Sequence, residues 1–115
     1  MANVLDKIIE DKKESLKQIK KINSLDSIES TIKSLDNFFN FKEVITNNKR
    51  ASLITEIKKA SPSAGELVKD FNHLNIAKMY VDNGATCLSV LTEEKHFLGK
   101  LDYIRDIKNK FKIPI

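Results

Sequence analysis

The residues best suited to chemistry in this sequence are an acid and a base two positions apart, where an apolar stretch ends. Glu56 and Lys58 follow the run 53–55, which is typical of a strand. Residues two apart on a strand point to the same face, so this carboxylate and ammonium group are predicted to lie side by side. Two interpretations stay open: a structural ion pair, or an active-site pair in which Lys58 binds an anion or donates a proton and Glu56 accepts one or tunes the lysine.

A polar, turn-forming segment follows this pair over residues 59–65. Ser61 and Ser63 offer hydroxyl groups, Pro62 favours a turn, and Gly65 allows a hinge. Such a loop can fold over a substrate and exclude water. An ordinary solvated turn would have the same composition, so the loop alone does not decide between the two.

A second polar loop, residues 92–99, contains one large apolar side chain, Phe97. This ring either stacks on a planar substrate or packs at the rim of the fold. His73 and His96 are the only histidines, and neither has metal-ligand spacing with Cys87 or with carboxylates, so we predict no metal site. No glycine-rich phosphate-binding motif is present, because the three glycines lie too far apart.

These candidate residues are positioned by an alternation of strands and helices from residue 51 onward. The predicted order is strand 52–58, loop 59–72, a helix capped by Asn72 and stopped by Gly84, strand 86–91, loop 92–99, helix 101–111, and an apolar start at 113–115. This order indicates βαβ units and a parallel sheet, whose strands carry ligand sites at their carboxyl ends. Two strands and the start of a third cannot cover a parallel sheet, so we expect a fragment of a larger barrel or doubly wound domain.

The first fifty residues are predicted to be helical. Asn3 can cap an amphipathic helix that begins at Val4, the segment 23–36 is interpreted as a linker with a short helix, and 37–46 as a short aromatic helix capped by Asp36 or Asn37. We therefore predict a helical extension over 1–50 and the first βαβα units over 51–115. The three nearby phenylalanines of 37–46 are predicted to pack against a larger body.

Composition excludes several other classes of protein. The 115 residues include 20 basic and 16 acidic side chains, and the net charge is +4. The basic pairs are short and scattered and no aromatic residues alternate with them, so we predict no nucleic-acid partner. No membrane span or secretory signal is expected. The single cysteine fits a reducing compartment, and we predict a soluble cytoplasmic protein.

Two long motifs resemble one enzyme family. They are Glu56-Ile57-Lys58-Lys59-Ala60-Ser61-Pro62-Ser63 and Ser89-Val90-Leu91-Thr92-Glu93-Glu94-Lys95-His96-Phe97-Leu98-Gly99. With Asp70-Phe71-Asn72, Ile76-Ala77 and Tyr80, they resemble the N-terminal part of the indole-3-glycerol-phosphate synthase family. The resemblance implies a (β/α)8 TIM barrel preceded by a helical extension, with this α/β chain covering about the first two-fifths and ending as strand 3 begins. One departure is Ala64, where the family usually has lysine.

The resemblance also implies a reaction and the residues that carry it. The family is a carboxy-lyase of tryptophan biosynthesis that closes the indole ring of 1-(2-carboxyphenylamino)-1-deoxyribulose 5-phosphate with loss of carbon dioxide and water, without a cofactor. Glu56 and Lys58 would be catalytic, and Ser61, Ser63 and Phe97 would bind the substrate. The family's general-acid lysine, a later glutamate and the phosphate-binding loops would lie beyond Ile115, so the 115 residues alone are expected to be inactive.

Two alternatives to the synthase stay open from the sequence. One is another phosphate-binding barrel, such as phosphoribosylanthranilate isomerase, although the long helical lead-in and the Ser61-Pro62-Ser63 loop disfavour it. The other is a non-catalytic interaction module in which residues 1–50 are the working part. Fusion or association with other tryptophan-pathway enzymes is a further expectation from the resemblance.

Overall fold

The computed structural model describes residues 3–115. The chain divides into two compact units, one extending to Phe38 and one running from Phe39 to Ile115. The third helix therefore belongs to the second unit, whereas the sequence grouped it with the helical extension. The predicted functional division at residue 50 stays a prediction.

The first unit contains two capped helices, α1 (Val4–Ile22) and α2 (Leu25–Lys33). Asn3 accepts the N–H of Asp6 at 2.9 Å, and Asp6 accepts the N–H of Asn3 at 3.1 Å, which completes a capping box. Ser24 caps α2 by accepting the N–H of Ser27 at 3.2 Å. Both predicted helices are confirmed, and no described residue of either one is buried.

Helix α3 (Phe41–Thr46) begins later than the sequence predicted. The cap is Asn40, which accepts the N–H of Glu43 at 3.0 Å, and not Asp36 or Asn37. With the helix beginning after Asn40, the acidic residue Glu43 lies in its first turn, where the helix dipole favours a negative charge. Asp36, Asn37 and Asn40 all have good capping side chains, so sequence alone could not choose among them.

The second unit is built on two parallel strands, β1 (Ile54–Ile57) and β4 (Cys87–Val90). Two short strands lie between them in the chain, β2 (Ala60–Ser61) and β3 (Gly65–Glu66). Helix α4 (His73–Asp82) connects them, and α5 (Asp102–Lys110) follows β4. The predicted βαβα order is confirmed, with each strand shorter than its apolar run. The register pairs Thr55 with Leu88 and Ile57 with Val90, so both strands end at the same edge of the sheet.

Local signals set the bounds of α4. Asn72 caps it by accepting the N–H of Asn75 at 3.0 Å, as predicted. Gly84 follows the helix at φ 86°, a left-handed conformation in which glycine is favoured because it has no Cβ. Helix α5 has no side-chain cap.

A single apolar core lies between this sheet and the two helices. Its fully buried members are Ile57, Ala77, Leu88, Ile107 and Ile113. Ile57 on β1 therefore faces the helices. Since side chains alternate along a strand, Ile54 and Glu56 lie on the opposite face of β1. That face would line the interior of a closed barrel.

The last residues of the chain lie beside β4. The N–H of Leu88 donates to the carbonyl of Pro114 at 2.9 Å. The N–H groups of Cys87 and Leu91 donate to the carbonyls of Leu53, just before β1, and Ile57. Alternate amides of a strand point to opposite neighbours, so Pro114 lies on the side of β4 away from β1. A third strand beginning at 113–115 stays a prediction, and this hydrogen bond favours it.

Candidate functional site

Glu56 and Lys58 form a direct ion pair at the carboxyl end of β1. The Nζ of Lys58 lies 2.5 Å from the Oε1 of Glu56. The Glu56 side chain is 47% exposed and that of Lys58 is 29% exposed, so both charges keep contact with solvent. An exposed pair of this kind stabilises a fold by about 0–1 kcal/mol, too little to explain the placement by stability.

A residue of α4 forms a hydrogen bond with the backbone of β1 at this ion pair. The hydroxyl of Tyr80 donates to the carbonyl of Glu56 at 3.0 Å. Ile57, the next residue, is only 1% exposed and anchors the strand in the core. The contact of Tyr80 has no signal in the sequence, because 24 residues separate the two partners and only the fold brings them together.

The loop after β1 is more ordered than the sequence predicted. It contains a short antiparallel hairpin, β2 (Ala60–Ser61) paired with β3 (Gly65–Glu66), where a continuous loop was expected. The hydroxyl of Ser61 accepts the N–H of Ala64 at 3.2 Å and lies 3.5 Å from the hydroxyl of Ser63. Gly65, at φ 68°, supplies the left-handed residue that closes the turn.

A turn in the loop after β4 is held by one carboxylate, that of Glu93. Its Oε1 accepts the N–H of Lys95 at 3.1 Å, and its Oε2 accepts those of His96 at 2.7 Å and Phe97 at 3.1 Å. Burial alone would raise the pKa of Glu93, but these three amides and the charge of His96 outweigh it and lower the pKa. This role of Glu93 is not among the predictions from the sequence, although an acid two residues before a short turn is a signal that could have indicated it.

At the end of the same loop, Gly99 packs so closely against the backbone that no larger residue fits there. Leu98 has φ 53°, a left-handed conformation uncommon for a side chain of its size. The N–H of Gly99 donates to the carbonyl of Glu93 at 2.8 Å. A Cβ on Gly99 would lie 2.7 Å from the carbonyl carbon of Leu91, which real Cβ atoms do not tolerate. Phe97 is therefore held between two fixed points.

The structure joins some of the predicted site residues and leaves others apart. Glu56 contacts Lys58, and Ser61 lies beside Ser63. Phe97 is half-buried in the loop after β4, at the same edge of the sheet as the loop of the serines. Within residues 3–115, these three groups are not joined to one another by a hydrogen bond or an ion pair. Their individual roles stay predictions.

Neither a metal site nor a membrane span is found in the described part of the chain. No group of three or more His, Cys, Asp or Glu side chains in residues 3–115 is arranged to hold a metal ion. No helix within these residues is long and apolar enough to cross a bilayer. Cys87 is buried, and its burial raises the pKa of the thiol, as expected for an unreactive cysteine.

Parallel strands joined by a helix, with charged and polar groups where the strands end, define an α/β chain of the type that binds ligands at that edge. The family model for indole-3-glycerol phosphate synthase matches residues 5–115, and the chain belongs to that family. The family fold is a (β/α)8 barrel, of which these parallel βαβ units are part.

Curated relatives carry the same family name. The chain is 41% identical over 112 residues to the indole-3-glycerol phosphate synthase of Desulforamulus reducens, a match that covers 97% of this chain and 42% of the relative. It is also 41% identical over 112 residues to that of Alkaliphilus metalliredigens, covering 97% of this chain and 43% of the relative. A Legionella pneumophila synthase is 47% identical over 76 residues, covering 66% of this chain and 30% of the relative. The chain thus spans about two-fifths of the length of the first two relatives.

Proposed function

We propose that this protein is an indole-3-glycerol phosphate synthase, a carboxy-lyase that acts on a phosphorylated small molecule in tryptophan biosynthesis. The observation that carries the proposal is the Glu56–Lys58 ion pair, at the carboxyl end of the first strand in a chain of that family. The family match disfavours the isomerase and the non-catalytic module that the sequence left open.

The chemistry of ring closure suits these two side chains. A carbon–carbon bond forms between the substrate's ketone carbon and the ring carbon that carries the carboxylate. The carboxylate leaves as carbon dioxide. The former ketone oxygen gains protons and leaves as water, and the adjacent methylene carbon loses one proton as the ring double bond forms. These steps need a held anion, a proton donor and an acceptor close together.

Lys58 is proposed to supply the cation for this reaction. An ammonium group has three N–H donors, and its contact with Glu56 uses one of them. The others can bind the substrate carboxylate or donate a proton. Glu56 is proposed to orient the lysine through their contact, or to accept a proton itself.

The two loops are proposed to complete the substrate contacts. Ser61 and Ser63 lie in the hairpin that follows β1 and offer hydroxyl groups there. Phe97 offers an apolar ring beside the aromatic end of the substrate. No cofactor is proposed, because the residues named here supply acid–base and binding groups for the reaction.

A chimera tests the proposal directly. Residues 1–115 would replace the matching segment of the Desulforamulus reducens relative, which is 41% identical over 112 residues. We expect the chimera to form indole-3-glycerol phosphate at a rate within about tenfold of the parent, because a tenfold difference corresponds to about 1.4 kcal/mol. A folded chimera without this activity would overturn the proposal. Residues 1–115 assayed alone are expected to show no turnover.

Cytoplasmic location and association with other tryptophan-pathway enzymes are also proposed. The single cysteine, buried in β4, is compatible with a reducing compartment. Co-purification of the protein with other enzymes of the pathway from cell extract would test the association.

A further inference from the structure

We propose that Glu93 is a positioning residue that acts through Phe97. In this role its carboxylate fixes the turn 95–97 and thereby sets where the aromatic ring meets the substrate. The inference rests on the proposed function, which supplies a substrate with an aromatic ring. It concerns a residue that does not itself touch the substrate.

The hydrogen bonds of Glu93 reach the backbone of Phe97 itself. Three consecutive N–H groups, those of residues 95, 96 and 97, donate to one carboxylate at 2.7–3.1 Å. This arrangement resembles an N-cap, in which a side-chain oxygen fixes the first turn of a helix. Hydrogen bonds to an ionised acceptor are roughly twice as strong as neutral ones. The lowered pKa of Glu93 keeps the acceptor ionised at neutral pH.

The backbone on the other side of Phe97 is equally fixed. Leu98 adopts a left-handed φ of 53°, and Gly99 lies against the backbone of Leu91. Such unfavourable conformations persist only where the surroundings hold them, and they concentrate at functional sites. The N–H of Gly99 returns to the carbonyl of Glu93, so the same residue holds both ends of the loop.

Core packing does not account for this arrangement. Phe97 is half-buried, and among the described residues it belongs neither to the buried core of the second unit nor to the side chains packed on it. A large ring fixed from both sides at a ligand-binding edge, outside the core, is suited to contact with a planar ligand. The geometry therefore assigns the carboxylate of Glu93 to the placement of that ring.

A double-mutant cycle in the active chimera tests whether Glu93 acts through Phe97. Glu93→Gln is expected to lower kcat/KM about tenfold, the size of effect given by loss of one charge-assisted hydrogen bond. In a Phe97→Leu background the same change should cost less than about twofold, because the ring it positions is already absent. Glu94→Gln removes the same charge from the exposed neighbouring residue and serves as the control, with kcat/KM unchanged within about twofold.

An equal loss in both backgrounds would show that Glu93 does not act through Phe97 and would overturn the inference. No loss in either background would overturn it as well. The split between KM and kcat adds a second test. If Glu93→Gln only misplaces a ring that orients the substrate, it should lower kcat without lowering the melting temperature of the chimera. If the loop had merely unfolded, the melting temperature would fall as well.

Hydrogen exchange on the folded chimera separates this inference from the proposed function. In Glu93→Gln, amide exchange over residues 95–97 should accelerate at least about tenfold, with no change in Glu94→Gln. Unchanged exchange would overturn the positioning role even if the chimera is active. An inactive but folded parent chimera would overturn the proposed function, while the exchange result would still report whether Glu93 holds the turn.

Discussion

Lys58 forms an ion pair with Glu56, and its side chain is partly exposed to solvent. Its neighbour Ile57 is buried and anchors the strand. The period of two along β1 predicts that Lys58 shares a face with Glu56, and the 2.5 Å ion pair confirms this. Sequence could predict the pair because strand geometry alone sets which side chains meet. It could not predict the hydroxyl of Tyr80 on the Glu56 carbonyl, since that contact depends on how α4 packs.

Replacing the cation at Lys58 tests its catalytic role. Lys58→Met keeps the length of the side chain and removes its charge, and we expect kcat/KM of the chimera to fall about 100-fold or more, the usual contribution of an acid–base group. Thermal stability should change little, since an exposed ion pair contributes about 0–1 kcal/mol. Lys110→Met, an exposed lysine in the last turn of α5, is the control. Full activity of Lys58→Met would exclude Lys58 from the chemistry.

The elements of the second unit were largely predictable, and their connecting loops were not. Asn72 and Gly84 mark the ends of α4 through local backbone chemistry, which a sequence contains in full. The hairpin of β2 and β3 depends on four paired residues, too few for a periodic pattern. The start of α3 was predicted wrongly because neighbouring residues compete as caps.

Gly99 tests how tightly the loop after β4 is built. Gly99→Ala places a methyl group against the backbone carbonyl of Leu91, so we expect a loss of about 1–3 kcal/mol or more, as for an overpacked site. Gly65→Ala is the matched control. It lies in open space at φ 68°, and its cost is limited to about 1–2 kcal/mol of left-handed strain. Urea unfolding of both variants in the chimera measures the difference, and a Gly99→Ala variant as stable as the parent would contradict the model of the loop.

The contact between α4 and α5 is expected to depend on pH. The Nε2 of His73 lies 3.1 Å from Asp106, and Arg105 donates to the same carboxylate at 3.3 Å. Desolvation raises the pKa of Asp106, but these hydrogen bonds and charges outweigh it and lower the pKa below the ordinary value. A carboxyl with a lowered pKa in the folded state stabilises it above the unfolded pKa and loses that contribution as the pH falls through the folded value.

Acid titration of a charge-removed variant measures this contribution. The stability difference between the unaltered chain and Asp106→Asn should be largest above about pH 5 and shrink as the pH falls below about 4. Thermal unfolding in the chimera between pH 3 and pH 6 provides the measurement. Asp70→Asn, an exposed carboxylate, should show no such trend. A difference that stays constant or grows on acidification would contradict the role of this contact.

At the scale of the whole molecule, the 115-residue chain has apolar surface that its own described residues do not cover. Leu53 and Ile54 are each 51% exposed, although parallel sheets are normally covered on both faces. The described residues of α1 and α2 are likewise not buried within the first unit. Sequence periodicity predicts which face of a helix or strand is apolar, but it does not identify the surface that covers this face.

We expect the chain alone to associate and to unfold without a sharp transition. Uncovered apolar surface promotes self-association, and a small core gives little free energy of unfolding. Analytical ultracentrifugation across a concentration series and calorimetry would measure both properties. The chimera, in which the remaining barrel covers the sheet, should unfold cooperatively. A monomeric chain with a sharp cooperative melt would contradict this expectation.

The helix caps have a consequence for how the chain folds during its synthesis. Those of α1, α2, α3 and α4 each join residues three apart, so each can form as soon as its own residues leave the ribosome. Strand β1 must wait for β4, since Ile54 pairs with Cys87, 33 positions later. At about 5–20 residues per second, that interval lasts roughly two to seven seconds. For those seconds the nascent chain presents an unpaired apolar strand, a segment of the kind that a chaperone at the ribosome exit binds.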